Sequence, residues 1–126
     1  MKQATYKQKL GQQGESIAEK FLLSQGYSII EKNYRTRFGE IDIIAKDNNY
    51  ICFIEVKLRK TKSFGCPKDS VNYGKQRKIS MTAMDYLKKS GQNNQKARFD
   101  VVSISISDTN EHQIEIIKNA FETFSQ

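Results

Sequence analysis

A chain of 126 residues makes one domain, large enough for a real core. It carries 21 Lys and Arg against 14 Asp and Glu, a net charge of +7 that suits a polyanionic partner, nucleic acid before membrane. A single histidine, His112, excludes a multi-histidine zinc site and leaves little room for a Ser-His-Asp triad. No apolar run reaches transmembrane length and no signal peptide is visible. Cys52, in a predicted core strand, and Cys66, in a loop, read as reduced thiols, so the expected location is cytoplasmic.

Residues 1–6 are polar and expected to be disordered. A helix is predicted from Tyr6 or Gln13 to Ser24, with Ile17, Phe21 and Leu22 at helical spacing, Leu10, Gly14 and Ala18 on the same side, and Gly26 as its stop. Glu15 and Glu19 lie one turn apart and share a face; Glu19 reads as a solvated surface charge. Tyr27 to Arg37 reads as the first strand, with Lys32, Arg35 and Arg37 near its end.

Next comes a hairpin. Ile41, Ile43 and Ala45 alternate with Glu40, Asp42 and Ile44, and Tyr50 to Leu58 is almost continuously apolar, as a strand buried on both faces should be. A two-residue loop at Asn48-Asn49 sets Asp47 opposite Tyr50. Counting outward then places Ile44 opposite Phe53, Asp42 opposite Glu55 and Glu40 opposite Lys57. Two facing carboxylates repel, so Asp42 and Glu55 call for a shared proton, Lys57 or a divalent cation. Oxygen ligands without His or Cys point to a hard ion, Mg²⁺ or Mn²⁺. The plainer reading is a polar strand edge with a surface Glu–Lys pair.

After Lys57 the chain turns basic at Arg59, Lys60 and Lys62, and Thr61 to Pro67 reads as an irregular, mobile loop beside the carboxylates. Pro67 to Ser90 is the second predicted helix, ended by Gly91, with Val71, Ile79, Ala83 and Leu87 as its apolar stripe. Its polar cluster of Lys75, Gln76, Arg77 and Lys78 is either a solvated face or a set of phosphate contacts. Ala97 to Ser107 is a fourth strand, Ile114 to Ile117 a fifth, and Phe121 and Phe124 sit in the tail. The order gives an α/β fold, a mixed sheet flanked by helices.

Taken together, Gly14-Glu15, Asn33-Tyr34-Arg35, Gly39-Glu40-Ile41-Asp42, Phe53-Ile54-Glu55-Val56-Lys57 with Arg59, Lys75-Gln76 and Arg98-Phe99-Asp100-Val101-Val102 resemble the bacterial YraN-like family. That family is similar to archaeal Holliday junction resolvases of the PD-(D/E)XK nuclease superfamily. The resemblance runs from Gly11 to Phe121; Ile41 replaces the proline that names the superfamily. It implies a restriction-endonuclease-like αβββαβ core and a metal-dependent nuclease site. Glu15, Asp42 and Glu55 would hold Mg²⁺ or Mn²⁺, and Lys57 would be the catalytic lysine. Glu40 would support the site, by pairing with Lys57 or reaching the metal through water. Arg35, Arg37, Arg59, Lys60, Lys62, Lys75 and Gln76 are the candidate nucleic-acid contacts. The implied activity is DNA phosphodiester hydrolysis, on branched DNA if a homodimer supplies the two sites a junction needs. The competing expectation is a nucleic-acid-binding module that keeps the fold without catalysis.

Overall fold

The computed structural model describes residues 6–60, 71–92 and 94–122. Residues 1–5, Lys62, Cys66, Pro67, the Thr61 to Pro67 loop, Phe124 and the side chain of Leu10 lie outside the described residues. Within them the order is α1 (Tyr6–Ser24), β1 (Ser28–Thr36), β2 (Gly39–Asp47), β3 (Tyr50–Lys60), α2 (Tyr73–Lys89), β4 (Lys96–Ile106) and β5 (His112–Ile117). This is a mixed α/β fold. The five strands form one sheet in sequence order, antiparallel except for the parallel pair β3–β4. Helix α2 makes the crossover that a parallel pair requires.

Each helix stops where its glycine lies. Gly26 has φ +92°, and the Tyr27 and Gly26 N–H groups donate to the Leu22 and Leu23 carbonyls. Gly91 has φ +72°, and the Gln92 and Gly91 N–H groups donate to the Leu87 and Lys88 carbonyls. Both are Schellman caps, which satisfy carbonyls that the helix leaves orphaned. The start of α2 differs from expectation. Val71 and Asn72 are not helical, and Asn72 is extended (φ −70°, ψ 164°). Its side chain accepts the Lys75 N–H at 2.8 Å, so an asparagine cap opens the helix and no continuous helix runs from Pro67.

The sheet buries both faces. Ala18 and Leu22 of α1 pack with Ile43, Ala45, Cys52, Ile54 and Val102 on one side. On the other, Ile79, Ala83 and Tyr86 of α2 pack with Ile44, Phe53 and Phe99. Phe121 stacks on Phe99 with ring centroids 4.7 Å apart. Strand β3 lies between β2 and β4, and Ile51 to Glu55 are all buried, which accounts for its apolar run. Among the described residues no helix is long and apolar enough to cross a membrane.

Candidate active site

The hairpin turns at Asn48-Asn49 as expected, with Asn48 at φ 55°, and Asp47 faces Tyr50. Ile44 faces Phe53. The β2–β3 ladder then ends at Ile43 and Ile54. Beyond that point β2 stays with β1 as far as Gly39, and β3 stays with β4 as far as Lys60. The two central strands thus part like a fork, and the expected ladder pairs Asp42–Glu55 and Glu40–Lys57 do not form.

The fork coincides with an irregularity shared by β1 and β2. Residues two apart on a strand should share a face. Ile41, however, packs with the α2-side core and Ile43 with the α1-side core. The switch falls at Asp42, across from Asn33, which takes the left-handed conformation at φ 55°. A bulge between Ile29 and Glu31 shifts the same pair of strands again. Glu40 therefore finds its register partner on β1, where Arg35 Nε lies 3.3 Å from Glu40 Oε1.

Asp42 closes the fork with its side chain. Val56 N–H donates to Asp42 Oδ2 at 2.8 Å, in the place of a ladder bond. The carboxyl also meets Glu55, so the two acids come together by a route other than register. Burial, then the Glu55 charge, push the Asp42 pKa up to about 8; the Val56 N–H opposes the rise, while the hydrogen bond with Glu55 and the charge of Glu15 add to it. Burial and the neighbouring acids thus favour the protonated form of Asp42 in the metal-free protein.

These acids open into a cleft of about 560 Å³. Helix α1 contributes Gly11, Gly14 and Glu15 to its wall, and α2 contributes Lys75. Gly14 sets the distance of α1: a Cβ there would lie 3.1 Å from Leu58 Cβ, so only glycine lets the helix sit this close to β3 without displacing its neighbour. Glu15 follows directly and lines the cleft. Among the described residues no three Asp, Glu, His or Cys side chains converge on one ion position. Glu15 therefore stands beside the Asp42–Glu55 pair without joining it. Two carboxylate donors with room for water suit Mg²⁺ or Mn²⁺, which commonly keep several water ligands.

The expected cations spread out. Lys57 lies two residues along β3 from Glu55, half-buried, and does not line the cleft. The cation on Glu55 is Lys75, whose Nζ pairs with Glu55 Oε2. Gln76 Nε2 donates to the Val71 carbonyl at 2.7 Å, which fastens the start of α2. Arg59 Nε donates to Ser105 Oγ at 3.5 Å. Arg37 stacks on Phe38 at 4.9 Å and lines a separate groove with Met81 and Met84. Lys60 is exposed at the end of β3. Glu19, expected to be solvated, is paired with Lys32 at 2.9 Å and ties α1 to β1.

Arg98 and Asp100, part of the motif that carries the family resemblance, form a second polar cluster to which the sequence assigned no structural role. Arg98 Nε donates to Asp100 Oδ1 at 2.9 Å, and its Nη2 reaches Asp47 Oδ2 at 2.9 Å and Tyr27 Oη at 3.0 Å. Asp100, fully buried, also accepts the Asn119 N–H at 2.9 Å. The signal was two charged residues, two apart, in an otherwise apolar strand: on a buried face such charges must find partners.

Fold and site together define an α/β protein with two adjoining carboxyls, Asp42 and Glu55, at a strand fork. The chain belongs to the family described as "Uncharacterised protein family UPF0102", whose model matches residues 14–104. It is 50% identical over 116 residues to a UPF0102 protein of Desulfosudis oleivorans, covering 92% of each chain. A UPF0102 protein of Thermodesulfovibrio yellowstonii is 51% identical over 115 residues, covering 89% of this chain and 95% of the relative. One of Rhodococcus jostii is 39% identical over 112 residues, with the same two coverages.

Proposed function

We propose that this protein is a metal-dependent nuclease that hydrolyses phosphodiester bonds in DNA, built on the restriction-endonuclease-like core of the PD-(D/E)XK superfamily. The observation that carries the reading is the meeting of Asp42 and Glu55 where β2 and β3 part, with Glu15 on the wall of the same cleft. Two adjoining desolvated carboxyls call for compensating charge; Lys75 answers Glu55 alone, and a divalent cation would answer both acids at once. Asp42 and Glu55 would hold Mg²⁺ or Mn²⁺, with Glu15 assisting through water. When bound, the ion supplies Lewis acidity toward a phosphate oxygen and the attacking water. Lys57, which does not line the cleft, would have to turn into it to orient that water and offset the charge that develops on phosphorus-bound oxygens. In-line attack would break the bond to the 3′ oxygen. Branched DNA is the proposed substrate class, with a homodimer presenting two clefts.

The alternative, a binding module without turnover, draws on two observations: Glu15 does not close round an ion with the pair, and Lys57 stands outside the cleft. One assay separates them. Labelled branched and linear DNAs are incubated with Mg²⁺, Mn²⁺ or chelator. The nuclease reading expects products with metal and none in chelator. It expects Asp42→Asn to cleave on the order of 10² to 10³ times more slowly, since metal-borne charge stabilisation amounts to several kcal/mol. Products that persist in chelator reject the metal mechanism. DNA retained without metal and without products leaves the binding module.

A further inference from the structure

Glu55 is the more enclosed acid of the pair, its side chain only 6% exposed, and it is neutralised from a distant part of the chain. Lys75 reaches it from the first turn of α2, where the Asn72 cap fixes the Lys75 backbone. The Lys75 side chain is itself 45% exposed. It is therefore a flexible ammonium with one end of its path in the cleft and the other in solvent. It occupies Glu55 Oε2, an oxygen that a divalent ion bound by the pair would also use.

We propose that Lys75 is an internal counter-ion that competes with the metal for Glu55 and releases it when a phosphate backbone enters the cleft. The inference rests on the reading of Asp42 and Glu55 as metal ligands. With the cleft open, Lys75 and a divalent ion repel each other across one carboxylate. A phosphate gives Lys75 a second anion to pair with, and Glu55 is then free for the ion. Metal and nucleic acid each strengthen the binding of the other, by the same factor, because linkage between equilibrium sites is reciprocal. Lys75 thereby acts as a positioning residue for the metal and as a phosphate contact, at two stages of one event. A lysine that served only to hold α2 on the sheet would produce no such coupling.

The test reads binding, not turnover. Mn²⁺ is titrated calorimetrically into the DNA-free wild type, Lys75→Met and Lys75→Arg. Removing a half-exposed competing charge should tighten Mn²⁺ binding in Lys75→Met by roughly tenfold. Lys75→Arg keeps the charge and should bind Mn²⁺ as wild type does. A labelled DNA duplex is then titrated by fluorescence anisotropy with Ca²⁺ or with chelator. Ca²⁺ should tighten DNA binding in wild type and do so less in Lys75→Met. Mn²⁺ binding no tighter in Lys75→Met than in wild type overturns the counter-ion role and leaves the metal site standing. Absence of Mn²⁺ binding in every variant overturns both.

Discussion

Asp42 answers to three neighbours: the Val56 N–H, which favours its charged form, and Glu55 and Glu15, which oppose it. Burial opposes it most of all, and the balance holds its pKa above the ordinary carboxylate value. The sign of the pH dependence follows. A group that binds its proton more tightly when folded stabilises the fold while protonated, and that stabilisation is lost as pH rises through its folded pKa. In chelator, the contribution of Asp42 should therefore be full below about pH 4 and decline toward about pH 8, its folded value. Asp42→Asn keeps the shape, removes the charge and can donate to Glu55 through its amide. Its metal-free melting temperature should match or exceed that of wild type near pH 8 and should fall less between pH 5 and pH 8. Melts of both proteins across that range, with and without Mg²⁺, give the answer. An equal pH response in the two proteins would show that Asp42 carries no raised pKa, and an equal Mg²⁺ response would remove it from the metal site.

At the scale of elements, much could be read from the chain because local chemistry dictated it. Gly26 and Gly91 end their helices, Asn48-Asn49 turns the hairpin, and the apolar run of β3 is central. The counting of register failed at Asp42, because two coupled irregularities, one of them a left-handed Asn33 on a neighbouring strand, leave no mark in the alternation of β2. The acids meet nonetheless, through a side chain on Val56 N–H that no periodicity predicts. The pairing of Lys75 with Glu55 was equally hidden, since it depends on where α2 starts and how it crosses the sheet. Arg98 belongs to the same category: it links β4 to the end of β2 and to Tyr27 just before β1. Its guanidinium is raised well above its ordinary pKa, chiefly by the hydrogen bonds it donates to Asp100 and Asp47, against the effect of burial. Arg98→Ala should destabilise the protein by about 3–5 kcal/mol, because it removes the cation from a fully buried Asp100 and leaves it, among the described residues, only the Tyr27 hydroxyl and the Asn119 N–H. Urea denaturation measures this; a loss below about 1 kcal/mol, the scale of a surface pair, would show that the network contributes little.

For the molecule as a whole, the charge of +7 is the property most relevant to the proposed partner. Among the described residues the candidate contacts are spread over several places: Arg35 is engaged by Glu40, Arg37 borders another groove, and Lys75 lines the cleft. Such a distribution favours contact with phosphates along an extended or branched backbone over recognition of one base sequence. Duplex DNA affinity should fall with salt at a log–log slope of about −0.9 for each phosphate neutralised. Anisotropy titrations over a salt series report that number. A slope near zero would reject the nucleic-acid reading altogether, while a steep slope with no dependence on DNA branching would argue against the proposed substrate class.

The irregularities of β1 have a second effect, on how copies of this protein meet. An outer strand offers unpaired N–H and C=O groups to any strand that comes alongside, which is how sheets from separate molecules fuse and aggregate. Strand β1 is such an outer strand, yet its bulge beyond Ile29 and its left-handed Asn33 break the even spacing that a visiting strand must match. Exposed Glu31, Lys32 and Arg35 add charge along the same rim. The distortion that accompanies the fork at Asp42 thus also spoils this rim as a template for another chain.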